Sequence, residues 1–173
     1  IVQAKDSRPG YTVQEMYVEM VSSNKIGQKQ VAHLTFQPAA DTSPCVQSPC
    51  VTIRLYAPDR GYQMECLKSA DGTDAPQIGL PGVESCADGI DKPITLILDN
   101  TTLVGGELYT FGIVLTNAYQ PVETQDNHFG LVISEAGVVS NANMVIQGQE
   151  LVEFPAEVTS FAWSDAKADE VHS

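Results

Sequence analysis

The chain has 173 residues, 43% of them hydrophobic and 18% charged, which is the length of one domain and enough apolar material for a packed core rather than a disordered coil. With 22 Asp and Glu against 9 Lys and Arg, its formal net charge is -13; a phosphate backbone is repelled at every approach, so nucleic acid is excluded as a partner. No uninterrupted apolar run approaches the roughly 20 residues of a membrane-spanning helix.

The chain opens on Ile rather than Met, with no basic-then-apolar leader, which reads as a processed product or an excised piece of a longer polypeptide. Ile1, Val2, Gln3 and Ala4 form a short apolar segment ahead of the polar, Pro-containing residues 5–10. That segment is either an arm that adds a strand to another subunit's open edge or the edge strand of its own domain. Period-2 alternation then dominates. Met16, Val18 and Met20, next Ala32, Leu34 and Phe36, and next Val51, Ile53 and Leu55 alternate with polar or aromatic partners, the pattern of half-buried strands.

Residues 69–92 form the longest stretch without strand character, rich in Gly, Asp and Pro. Ile94, Leu96 and Leu98 make one face of the following strand; Tyr109, Phe111, Ile113 and Leu115 make the face of the next, with turn residues between, which predicts antiparallel neighbours. Phe129, Leu131 and Ile133 form another strand, residues 144–146 and 151–154 two short ones, and 158–163 a last one. Residues 164–171 could cap a short helical turn at Ser164, but offer little apolar surface for docking. About nine strands without a convincing amphipathic helix predict an all-β, two-sheet antiparallel β-sandwich, immunoglobulin-like or jelly-roll-like, with a closed barrel as the runner-up. The domain reading is an arm over 1–10, the sandwich over 11–163 and a polar tail over 164–173.

Four cysteines are an even number, and Cys45 and Cys50 share a Pro-flanked turn, while Cys66 and Cys86 bracket the aperiodic segment. The preferred pairing is Cys45 with Cys50 and Cys66 with Cys86, among three possible connectivities. A zinc site is the rival, but none of His33, His128 and His172 lies close in sequence to a cysteine. Disulfides place the chain in an oxidising, extracellular compartment. Acidity is concentrated late: residues 100–173 hold ten acids against the one base Lys167. Most of those carboxylates are left to water, metal ions or a basic partner.

The signatures of common enzymes are missing. There is no Gly-x-Ser-x-Gly elbow, His-Glu-x-x-His helix, phosphate-cradling Gly-x-x-x-x-Gly-Lys loop or Gly-x-Gly-x-x-Gly turn. Ser164 and Lys167 spell Ser-x-x-Lys in a polar terminal segment, a chance match. The chain is therefore read as having no catalytic residues and no resident cofactor. Asp71, Asp74, Asp88 and Asp91 are calcium candidates, set against plain turn chemistry, because their spacing is not that of an EF-hand loop. Asn100-Thr101-Thr102 is an N-glycosylation acceptor between two strands.

The run from Asn100 through Gly105-Gly106 and Tyr109-Thr110-Phe111-Gly112-Ile113 to Asn117 resembles segments of immunoglobulin-like β-sandwich modules in large secreted cell-surface proteins of microbial eukaryotes. The chain is also similar in general plan to subunits of extracellular fibres that exchange strands. The resemblance implies an architectural or adhesive module without catalytic residues. The leading functional expectation is a secreted structural subunit that assembles with copies of itself or neighbouring modules into a filament or coat. The alternative is a monomeric carbohydrate- or protein-binding adhesion module using the 69–92 loop and the aromatics Tyr56, Tyr62 and Tyr119.

Overall fold

A computed structural model describes residues 13–43, 51–99 and 101–153. Within them run ten strands: β1 (Gln14–Glu15), β2 (Tyr17–Val21), β3 (Lys29–Gln37), β4 (Val51–Tyr56), β5 (Gln63–Cys66), β6 (Val83–Ala87), β7 (Ile94–Leu98), β8 (Tyr109–Thr116), β9 (His128–Glu135) and β10 (Val138–Gln147). The one helical element among the described residues is a 3-10 turn at Thr124–Asp126.

The strands form two sheets, ordered β1-β10-β9-β4-β7-β6 and β2-β3-β8-β5. Pairing is antiparallel except between β1 and β10. Alternation does what the sequence predicts: Ala32, Leu34 and Phe36 of β3 face inward, as do Phe111, Ile113 and Leu115 of β8, and Ile53, Leu96, Leu131 and Ile133 meet them from the other sheet in one cluster. Phe36 is its aromatic hub, stacked on Tyr109 with ring centroids 5.6 Å apart and edge-on to Phe111 at 6.1 Å. Two sheets facing each other across one apolar layer make a β-sandwich. The neighbour order β2-β3-β8-β5 opposite β10-β9-β4 is that of immunoglobulin-type sandwiches. β7 and β6 widen the larger sheet beyond β4, and they follow β5 in the chain.

A disulfide joins Cys66 to Cys86, with Cα atoms 6.0 Å apart. Cys66 ends β5, the edge of the smaller sheet, and Cys86 lies in β6, the edge of the larger. The bond is therefore an inter-sheet staple along one margin of the sandwich, and it closes the segment that the two cysteines bracket. Cys45 and Cys50, together with residues 1–4, Asn100 and the segments expected at 154, 158–163 and 164–171, lie outside the described residues.

Two expectations are corrected. The 69–92 stretch is not strandless, since β6 occupies Val83–Ala87 within it. With Val83 and Cys86 as its main apolar residues, β6 has little pattern of its own and exists by pairing with β7. β7 and β8, expected as neighbours, lie in different sheets. The connection between them carries Leu103, fully buried, whose N–H donates to the Thr42 hydroxyl at 2.7 Å while its carbonyl accepts the Thr42 N–H at 2.8 Å. That anchor carries the chain across the end of the sandwich instead of folding it back as a hairpin. Sequence alternation also missed the short β1 and β5, and it found only the end of β10, which begins at Val138. Leu151 and Val152 form isolated bridges to Val122 and Lys25 instead of a strand.

The staple closes a loop of 20 residues, a constraint worth about 3 kcal/mol in the chain-entropy account. Replacing both Cys66 and Cys86 by Ser is expected to lower unfolding free energy by ~2–4 kcal/mol, read as a shift of the urea midpoint. Far-UV dichroism should stay of the β type, because most of the core cluster comes from strands other than β5 and β6.

Candidate functional site

The margin closed by the disulfide carries an arrangement of acids that spacing alone does not reveal. The buried Cys66 N–H donates to Asp88 Oδ1 at 2.7 Å. The Cys86 N–H donates to Asp74 Oδ2 at 3.3 Å. The bridge is thus flanked by a reciprocal clasp, in which each cysteine's amide is accepted by a carboxylate from the segment following the other cysteine's strand. Edge strands leave N–H groups unpaired, and a carboxylate facing one both satisfies it and blocks the edge against further pairing. Asp74 also meets Lys68 Nζ at 2.5 Å, and that hydrogen bond holds its carboxyl below the ordinary 3.8. Asp71 accepts both the hydroxyl and the N–H of Thr73, at 2.6 and 3.0 Å, which lowers it as well, the hydroxyl contributing most. A lowered carboxylate stabilises the fold above its unfolded value, so whatever these two contribute is present above 3.8 and lost as pH falls through their folded values.

The four calcium candidates are therefore not gathered around a common point. Asp71, Asp74 and Asp88 accept from backbone and side-chain donors as described, and among the described residues no group of three or more His, Cys, Asp or Glu side chains could hold a metal ion. Above the clasp, the edge of β8 is continued by the 77–79 segment instead of a strand. Gln77 donates to the Gly112 carbonyl at 2.8 Å and accepts its N–H at 3.0 Å, and the Gly79 carbonyl accepts Thr110 N–H at 3.2 Å. Gly79 is required there, because a Cβ would stand 2.2 Å from the Thr110 carbonyl oxygen.

The fourth aspartate belongs to a different place. Asp91, at φ 54°, sits on the rim of a cleft of about 400 Å³ lined by Tyr56, Pro58, Asp59, Tyr62, Met64, Lys92 and Pro93 among others. An isolated antiparallel bridge ties Met64 to the turn here, with the Gly89 N–H donating to the Met64 carbonyl at 2.9 Å. Tyr56 and Tyr62, two of the three aromatics singled out from sequence, thus meet in one cleft. Tyr62 is half-buried rather than exposed: its hydroxyl donates to Asn127 Oδ1 at 2.8 Å, and its ring stands edge-on to Phe129 at 5.1 Å. Burial pushes the phenol up to about 12, against a smaller opposing effect of that hydrogen bond. The third aromatic, Tyr119, is 70% exposed and lies over Gly27, away from these cleft-lining residues.

His33 is exposed on the outer face of β3 and His128 is the exposed first residue of β9. Neither has a hydrogen-bonded carboxylate or hydroxyl partner among the described residues. The hydrogen-bonding roles of the buried amides Asn117 and Asn127 escaped sequence reasoning, which met Asn117 only as the end of a run. Asn117 donates to the Ser23 and Lys25 carbonyls and accepts from Gln30, while Asn127 joins Tyr62 to the Gln149 carbonyl.

No family model matches the chain, and no curated protein matches it. Among solved structures, it is similar to part of a GH20 exo-β-N-acetylglucosaminidase from Vibrio harveyi, determined in complex with N-acetylglucosamine. The TM-score is 0.39 at 13% sequence identity, over 83% of this chain and 20% of that one. The chain spans a fifth of that protein's length.

Two outcomes follow from the site chemistry. Asp88→Ala leaves the buried Cys66 amide without its acceptor and is expected to cost about 1–3 kcal/mol, whereas Asp88→Asn keeps an acceptor oxygen and costs much less; urea midpoints distinguish them. Tyr62 in the folded state ionises at about 12 against 10.0 when unfolded, so the unfolded state loses its proton first and stability falls as pH rises through that window. Tyr62→Phe should flatten this alkaline slope, measured by denaturant titrations across the same window.

Proposed function

We propose that this chain is a structural module of an extracellular assembly, a disulfide-braced sandwich that joins copies of itself or neighbouring modules into a filament or surface coat. In this reading it is not an enzyme. The observation that carries it is the unequal treatment of the sheet edges. The β5 and β6 margin is closed by the sulfur bond, by Asp88 and by Asp74. On the opposite side of the larger sheet, β1 covers only Asn141 and Ala142 of β10. The Asn143 side chain then donates to Met16 O and accepts the Val145 N–H, across a register shift that breaks the ladder.

β2 is treated differently. It is the outer strand of the smaller sheet, and among the described residues none bonds the backbone groups that it turns away from β3. Tyr17 and Val21 stand 54% and 60% exposed on it, with Glu19, accepting from the Tyr17 hydroxyl at 3.0 Å, as its single charge. An edge with no partner among the described residues is a candidate template for an added strand. Residues Ile1 to Ala4, apolar except for Gln3, are the donor this reading assigns, inserted beside β2 of another copy. The oxidising compartment is supported by the Cys66–Cys86 bond.

The full chain, purified without reductant, should form concentration-dependent polymers visible by electron microscopy and sedimentation. Tyr17→Lys with Val21→Lys, which charges the edge, and deletion of residues 1–8, which removes the donor, should each abolish them with dichroism unchanged. A wild-type protein that stays monomeric at its solubility limit, or polymers indifferent to both changes, would sink the proposal.

A further inference from the structure

The cleft beside Tyr56 lies on different strands and loops from β2, so what it binds is independent of assembly through that edge. We propose that it is a binding site for a neutral saccharide unit, with Tyr56 as the apolar platform and Asp59 and Asp91 as acceptors for hydroxyl groups. The cavity, at about 400 Å³, falls within the range of small-molecule sites, which combine apolar walls with a few placed polar groups. Its lining is of that kind: Tyr56, Tyr62, Pro58 and Pro93 share it with the charged trio Asp59, Asp91 and Lys92.

The polar groups are available. The Tyr62 hydroxyl is already engaged by Asn127, so that residue contributes ring surface, not a donor. By contrast, Asp59, Asp91 and Lys92 have no hydrogen-bond or ion-pair partner among the described residues. The rim is also built before any ligand arrives. Gly89 is tied to Met64, a Cβ on Gly89 would stand 2.6 Å from the Ile94 nitrogen, and the tight turn so defined holds Asp91 in the left-handed region at φ 54°. A non-glycine residue kept there by its surroundings is positioned at a conformational cost, which rigid presentation of its side chain repays.

The chemistry of the trio selects the ligand class. Ionised carboxylates only accept hydrogen bonds and an ammonium only donates them, so the matching ligand carries groups that do both. Two carboxylates in a chain of net charge -13 turn away anions, and Lys92 beside them offsets the attraction for a simple cation. A polyhydroxylated ring satisfies both kinds of group and lays its C–H face on an aromatic side chain.

The test uses the full chain with methyl glycosides of glucose, galactose and mannose as probes, with glucuronic acid and a Lys/Arg peptide as charged comparators. Binding is read by amide and aromatic chemical-shift changes. At least one neutral glycoside should bind with Kd on the order of 1 mM and shift signals of Tyr56 and residues 89–93. Tyr56→Ala and, separately, Asp91→Asn, each checked for an unchanged melting temperature, should weaken it by about tenfold or more. Absence of binding by every neutral glycoside, preference for either charged probe, or affinity unchanged in Asp91→Asn would overturn the assignment, and none of these outcomes bears on whether the chain polymerises.

Discussion

The sulfur bond between Cys66 and Cys86 joins two edge strands that bring little apolar surface of their own to the core. β5 contributes Met64 and Cys66 to the interior, and β6 contributes Val83 and Cys86. Each lies at the edge of its sheet, hydrogen-bonded to a neighbour on one side only. A strand with so little apolar surface gains too little from burial to offset its ordering. The covalent link ties each to the opposite sheet, and the Asp88 and Asp74 carboxylates each accept one N–H, of Cys66 and of Cys86. The loop between them inherits its position from those anchors, including the Gln77 amide that stands in for a strand against Gly112.

This margin also accounts for part of the chain's acidity. A net charge of -13 invites an explanation by metal binding or a basic partner, but Asp74 and Asp88 act on backbone amides and Asp71 organises its own turn. Short carboxylates suit this role because they accept hydrogen bonds, remain soluble when partly exposed, and repel a like-charged strand approaching the same edge. Salt bridges add less. Lys29 with Glu65 and Arg60 with Asp126 are exposed pairs, a class with small net effect on stability.

Among the described residues, closing one side of the sandwich leaves two places to which function is proposed, and they differ in kind. At β2 the available groups are backbone, so the recognition proposed there depends on strand geometry and tolerates many side chains. At the Tyr56 cleft the available groups are side chains on a turn fixed by Gly89, and recognition depends on hydroxyl placement. The disulfide supports the second through the chain itself, since Met64 and Gly89, joined by a hydrogen bond, each lie within three residues of a bridged cysteine.

Much of the architecture was legible from local pattern. Alternation in β3, β4, β7, β8 and β9 reported which side chains face the core, because a pleated strand sends successive residues to opposite faces. The pairing of Cys66 with Cys86 was also accessible, from two cysteines bracketing a segment without periodicity. Period 2 carries no information about which strand lies alongside, however, and so β7 and β8 looked like a hairpin until Leu103 and Thr42 placed their connection across the end of the sandwich. β6 has no pattern to detect, and Asp88 belongs to Cys66 only because the two sheets bring residues 22 positions apart together. Sequence determined the face each residue shows, a property of its own backbone; neighbours, edges and the cleft came from long-range packing, which no local window contains.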